Sequence, residues 1–296
     1  NLPPLVLYIE YHRILGLNNY LTAKMHLFSH LLAPNGVAVV NAESPYAARV
    51  VAAAKVRQCR TWLYGATPDA DISLRKHTPD GEGRHLEFDI FGVPYQAHLP
   101  LIGYFQVCNV MAALGLVIAQ GLAAPEAVKA LTKLRDVPGR MEKIAAPHHG
   151  GQIFVDYAHT PDALQTALQA LRPHTAKRLH VVIGCGGNRD ATKRAIMGDI
   201  AINLADNVII TDDNPRHENP ADIRKEILAA ASGAADIGDR ETAIHQAIDS
   251  LAPGDTLLVA GKGHETYQIV GDEKLYFCDK EVIRNAIAKQ EPTNGD

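Results

Sequence analysis

The feature that most constrains this chain is a unit repeated in its second half. Four short apolar runs, at residues 153–155, 179–183, 208–210 and 256–259, are each followed by a stretch with helical spacing. Strands that are apolar throughout belong in a sheet covered on both faces, and an intervening helix supplies the crossover that keeps successive strands parallel. The expected fold is therefore α/β, with a doubly wound, mostly parallel, Rossmann-like sheet in the C-terminal half. Ligands of such sheets bind beyond the carboxyl ends of the strands, so chemistry is sought in the residues after each run.

The first half reads differently. Residues 36–41 form a β-branched run, 47–55 carry helical spacing and 61–64 form a second run, which together read strand, helix, strand. From 72 to 99 the pattern alternates around Asp80-Gly81 and Phe91-Gly92, the turn chemistry of hairpins, before helical spacing returns over 107–117. Pro138, Gly139, Pro147, Gly150 and Gly151 then punctuate the chain. They place a boundary near Val137, giving a mixed α/β domain over 1–137 and the doubly wound domain over 138–296. A length of 296 residues, more than one core usually holds, agrees.

A net charge of -4 without a Lys/Arg stripe speaks against nucleic acid and for a small-molecule substrate. No run approaches the ~20 apolar residues that span a bilayer, and the start lacks a signal pattern, so no membrane partner and a cytoplasmic location are expected. Cys59, Cys108, Cys185 and Cys278 are widely spaced with no CxxC pair and are read as reduced, mostly buried thiols.

Each strand end carries polar chemistry. After the first run come Asp156, Tyr157, Ala158, His159, Thr160 and Pro161, with Thr160 placed to cap a helix whose first turn holds Pro161; a plain capped turn is the bland alternative. After the second, Gly184, Gly186 and Gly187 permit close backbone approach and Arg189 offers a planar fork for a carboxylate or phosphate. The third ends in Asp213, Asn214, Pro215 and Arg216, an acid and a guanidinium suited to a zwitterion, or more blandly a surface ion pair. The fourth ends in Gly261, Lys262, Gly263, His264 and Glu265, whose carboxylate can receive an ammonium. Neither the GxGxxG dinucleotide fingerprint nor a GxxxxGK[ST] phosphate loop occurs.

Taken together, VDYAHTPDAL, GCGGNRD, TDDNPR and GKGHE closely resemble the C-terminal domain of the Mur ligases, specifically their tripeptide synthetases. The resemblance continues upstream through Val137-Pro138-Gly139-Arg140-Met141-Glu142, Leu101-Ile102-Gly103, Asn41-Ala42 and Thr22-Ala23-Lys24, so it covers nearly the whole chain. It implies ATP-dependent addition of an amino acid to UDP-MurNAc-L-Ala-D-Glu through an acyl-phosphate, in peptidoglycan precursor synthesis. Arg189, Asp213, Asn214, Pro215, Arg216, Gly261 and Glu265 would hold the incoming amino acid. The DNPR form ending in Arg216 implies meso-diaminopimelate, since lysine-adding members lack that arginine. Lys24 matches a lysine that the family carbamylates to support Mg2+, while Asn109, Arg140, Asp156 and His159 match residues that face ATP.

The chain departs from the family at Tyr8, where a metal-binding histidine is usual, in a longer stretch over 13–18, and at Tyr104 and Gln106 beside Asn109. The expectation is a central ATPase-type domain incomplete at its start, without the uridine domain or phosphate loop and inactive in ligation alone. Other readings are a lysine-adding ligase, a folylpolyglutamate synthetase, or a noncatalytic ligand-binding module; a nicotinamide dehydrogenase is disfavoured by the missing glycine fingerprint.

Overall fold

The computed structural model describes residues 21–144 and 150–290. The chain divides into two compact units, the first running to Leu134 apart from residues 101–103, which belong with the second, and the second continuing from Arg135.

In the first unit, strands β1 (Val37–Asn41), β2 (Arg60–Gly65), β3 (Ile72–Pro79), β4 (Arg84–Ile90) and β5 (Val93–Leu99) form one sheet in sequence order. The β1–β2 and β2–β3 pairs are parallel, and β3–β4–β5 is an antiparallel meander turning where Asp80-Gly81 and Phe91-Gly92 predict. Helix α1 (Ala47–Val56) makes the crossover between β1 and β2, burying Ala54 in a small core with Ala38, Val40 and Cys59. Helix α2 (Tyr104–Ala119) buries Val107, Val110, Met111 and Leu114, the three-and-four spacing of one helical face. Gly115 on that face is needed for close packing, because a Cβ there would lie 2.7 Å from Val39. Helix α3 (Ala124–Ala130) follows.

In the second unit, six strands are ordered β10 (Ala235–Asp236), β9 (Asn207–Ile210), β8 (Leu179–Ile183), β11 (Thr256–Ala260), β7 (Gln152–Asp156) and β6 (Glu142–Ile144). All pair in parallel except β6, an antiparallel edge strand that apolar periodicity did not reveal because it is only three residues long. Helices α4 (Pro161–Leu171), α5 (Lys193–Leu204), α6 (Pro220–Leu228), α7 (Arg240–Asp249) and α8 (Asp279–Lys289) cover the sheet. Ile153, Val155, Val182, Leu257 and Val259 pack with Ala243, Ile244, Ile248, Ile283 and Ile287 of α7 and α8. The alternate residues Phe154, Val181 and Leu258 are equally buried and point to the other face, as the two-residue period requires. Burial on both faces explains why these strands read as unbroken apolar runs. Thr160 caps α4, accepting from Ala163 N at 3.4 Å, with Pro161 in the first turn.

All four cysteines are free thiols; Cys59, Cys185 and Cys278 are buried and Cys108 is half-buried. Among the described residues no helix is long and apolar enough to cross a membrane.

Candidate functional site

Strand β11 is inserted between β7 and β8, parallel to both, so the carboxyl ends of β9, β8, β11 and β7 stand side by side at one end of the sheet. Two hydrogen bonds tie their loops together: Gly261 N donates to Asp156 O at 3.1 Å, and Gly187 N donates to Asn214 O at 2.9 Å. Glycine is required here for contact between loops. A Cβ at Gly187 would lie 1.9 Å from Pro215 O, and one at Gly184 would lie 2.4 Å from Thr211 O. The close approach expected of a ligand at these two glycines is thus taken up by the protein itself.

Asp213 and Asn214 are buried. Asn214 Oδ1 accepts from Lys262 Nζ at 3.1 Å and from Ile269 N at 2.9 Å, while its Nδ2 donates to Glu265 Oε2 at 3.1 Å. Asp213 Oδ2 lies 3.0 Å from where a Cβ of Gly261 would be, so that glycine lets the two strand ends close. Lys262 is wholly buried, and burial holds its ammonium below the ordinary lysine range. Sequence reading passed over Lys262; its position between two glycines of a strand-end motif was the available signal.

Arg216 takes a left-handed backbone, φ 53°, and its Nη1 donates to Gly187 O at 3.0 Å and Asn214 O at 3.2 Å. A hairpin unforeseen in the sequence, β12 (Tyr267–Val270) with β13 (Glu273–Tyr276), holds it from the other side: Arg216 N donates to Ile269 O at 3.0 Å and Gly271 N to Arg216 O at 2.7 Å. Alternation on either side of Gly271-Asp272 was the missed cue. Burial, followed by the neighbouring Arg189, lowers the Arg216 pKa. Arg189 itself is exposed and Pro215 buried. The result is two guanidiniums near two carboxylates, Asp213 and Glu265, an arrangement that can receive carboxylate and ammonium groups of one ligand. The surface-ion-pair reading of Asp213 and Arg216 does not apply, since Asp213 is buried and Arg216 Nη1 is directed to backbone carbonyls.

On the β7 side, Asp156 Oδ2 accepts from Met141 N at 2.7 Å, and burial raises its pKa. Arg140 lies over the Tyr157 ring, 4.7 Å from its centroid. His159 Nδ1 is 2.9 Å from Tyr157 O, and the His159 carbonyl accepts from Lys193 Nζ at 2.6 Å. Gly139 meets the fourth loop so closely that a Cβ would lie 2.1 Å from His264 N. Arg140, Asp156 and His159 therefore share one strand-end region with the Asp213 to Glu265 group.

The remaining candidates belong to the first unit. Lys24 is exposed on a helical stretch over 21–26, and Asn109 is exposed on α2, where its Nδ2 donates to Gln106 Oε1 at 3.2 Å. Tyr104, the other departure beside Asn109, donates to Glu43 Oε2 at 2.8 Å. Tyr8 and the stretch 13–18 lie outside the described residues.

Comparison with known proteins matches both units. Residues 9–117 match the family described as Mur ligase middle domain, and residues 139–263 match Mur ligase, glutamate ligase domain. The chain is 47% identical over 286 residues to the UDP-N-acetylmuramoyl-L-alanyl-D-glutamate–2,6-diaminopimelate ligase of Bradyrhizobium diazoefficiens, covering 96% of this chain and 58% of that one. A solved structure of a ligase bearing the same name superposes with a TM-score of 0.66 at 34% identity, covering 94% of this chain and 57% of that one. The MurF ligase of Thermotoga maritima, solved in complex with ADP, shares the fold at a TM-score of 0.67 and 19% identity, covering 92% of this chain and 57% of that one.

Proposed function

Because the chain belongs to the Mur ligase family, carrying segments of its middle and glutamate-ligase domains, we propose that the full-length protein adds meso-diaminopimelate to UDP-MurNAc-L-Ala-D-Glu with consumption of ATP. The carrying observation is that Arg216, with Arg189 beside it, lies among strand ends that also present Asp213 and Glu265. Diaminopimelate has a carboxylate and an ammonium at each end, and this group of side chains offers both complements together.

In the proposed reaction the D-glutamyl γ-carboxylate takes the terminal phosphoryl group of ATP, releasing ADP. The diaminopimelate amine then attacks the acyl-phosphate and expels phosphate, forming the amide. Arg216 and Arg189 bind carboxylate, Glu265 receives ammonium, and Asp213, Asn214, Pro215 and Gly261 hold that group in shape. Arg140, Asp156, His159 and Asn109 are assigned to the nucleotide. A reaction on UDP-linked precursors is placed in the cytoplasm.

Magnesium is the family's expected cofactor, but Lys24 as an amine carries the wrong charge for it, and magnesium prefers oxygen ligands. A carbamate on Lys24 would supply oxygen donors at that position. Intact-protein mass spectrometry reading one added CO2 on Lys24 tests that assignment.

ADP release by the full-length gene product, with UDP-dipeptide, ATP and magnesium and either meso-diaminopimelate or L-lysine, tests the function. Turnover dependent on diaminopimelate and lost in Arg216→Ala is expected. Preference for lysine would overturn the substrate, and no turnover with either would favour a ligand-binding module.

A further inference from the structure

Outside the strand-end site, a second convergence of chemistry lies at the tip of the β3–β4–β5 meander. Asp80, His85 and His98 bring one ligand atom each to within 4.8 Å of one another, the one group of this kind among the described residues. His85 and His98 are directly opposed partners on β4 and β5, which places their side chains on the same face. Their ring centroids are 5.0 Å apart. Asp80 begins the turn that joins β3 to β4.

That turn divides the work of the carboxylate. Asp80 Oδ1 accepts from Glu82 N at 2.8 Å, and Asp80 N donates to Gly83 O at 3.0 Å, so the backbone orients the group. Oδ2 faces both imidazoles, 3.1 Å from His85 Nε2 and 3.0 Å from His98 Nε2. Gly83 lets the turn settle onto the end of β5, since a Cβ there would lie 2.1 Å from Leu99 O. The fold thus aims two nitrogens and one oxygen at a single point from three different segments.

We propose that Asp80, His85 and His98 form a binding site for a single zinc-type divalent cation. Ligand atoms around a tetrahedral zinc, with bonds of about 2.0–2.2 Å, stand roughly 3.3–3.5 Å from each other. The observed separations from Oδ2 need only a few tenths of an ångström of opening to admit the ion. Two imidazoles and one carboxylate suit zinc, cobalt or nickel and are poor donors for magnesium, so this site is distinct from any magnesium the ligase reaction uses. Binding takes the Nε2 lone pair of each neutral ring, so each imidazole then carries its single proton at Nδ1. The fourth position opens to solvent, because His85 is 68% exposed while Asp80 and His98 are about one-third exposed. The ion would staple the β3–β4 turn to β5 and so tighten the outer edge of the first unit.

The test is a titration of the full chain with Co2+, read by its visible absorption, and with Zn2+, read by calorimetry. The variants are His85→Ala, His98→Ala and Asp80→Asn, with His30→Ala as a control elsewhere on the surface. One equivalent is expected to bind, weakened at least about tenfold by each of the three and unchanged by the control. Saturating Zn2+ should also raise the thermal midpoint of wild type and not of the His85→Ala/His98→Ala double variant. All these side chains are at least partly exposed, and a circular dichroism spectrum identical to wild type verifies that each variant is folded. Absence of stoichiometric binding, or binding indifferent to His85 and His98, would overturn the site and leave a hydrogen-bonded His–Asp–His cluster.

Discussion

Lys262 Nζ lies 3.1 Å from Asn214 Oδ1 with no part of Lys262 exposed to solvent, and Glu265 Oε2 stands 3.9 Å from the same nitrogen. A buried ammonium joins the third and fourth strand ends through an amide that also holds Glu265. Replacing it with methionine removes the charge while keeping most of the volume. We expect Lys262→Met to cost about 1–3 kcal/mol in urea unfolding. In the full-length enzyme, KM for the amino acid should rise more than kcat falls, because Glu265 loses its anchor. An unchanged KM would mean that Glu265 is held by Asn214 alone.

Arg240 and Asp279 form a two-pronged ion pair at 2.8 Å for both bonds, and both residues are buried. Arg240 Nη2 also donates to Ala260 O at 3.0 Å, at the end of β11. Removing one partner strands the other charge, so Asp279→Asn or Arg240→Met should destabilise by about 3–5 kcal/mol. Joint replacement by Arg240→Met and Asp279→Leu should recover much of that loss, as judged by the urea midpoint. A double variant as unstable as the sum of the singles would show that the two charges are not energetically coupled.

Gly139 and Gly187 sit against backbone, at 2.1 Å and 1.9 Å from the nearest atom to an added Cβ, whereas Gly81 has nothing within 4 Å. Gly139 also has φ 66°, which disfavours any side chain. Gly139→Ala and Gly187→Ala should each lower stability by about 1–3 kcal/mol or more, with Gly81→Ala close to neutral. Chemical denaturation of the three variants side by side decides whether close packing sets the effect.

His159 carries a pH dependence. Burial, and to a lesser degree Lys193, hold its pKa below the ordinary 6.5. The unfolded chain therefore takes up this proton at a higher pH than the folded one does. Stability from this group is complete above about pH 6.5 and is lost as pH falls through the lower, folded value. Stability curves at a series of pH values should show that slope in wild type and a shallower one in His159→Gln. Identical slopes would place the titrating group elsewhere.

Much of the second unit was legible in the sequence because its physics is local. Apolar runs of strand length, with Thr160 and Pro161 opening a helix, carry their own instructions, and parallel strands buried on both faces need no partner to be recognised. The hairpin turns at Asp80-Gly81 and Phe91-Gly92 were legible for the same reason. The three-residue β6 and the β12–β13 hairpin were not, since short edge elements owe their form to what they pair with.

The sequence by itself determined which residues stand at the ends of β7, β8, β9 and β11, and their motifs determined the family. Only the tertiary structure decided that β11 enters between β7 and β8, bringing loops from Asp156 to Glu265 together across more than a hundred residues of chain. It also decided that Lys262 and Arg240 are buried cations, that the glycines after β8 receive loops, and that Asp80 meets His85 and His98. Each of these depends on distance in space between segments remote in the chain, which pattern and spacing do not encode.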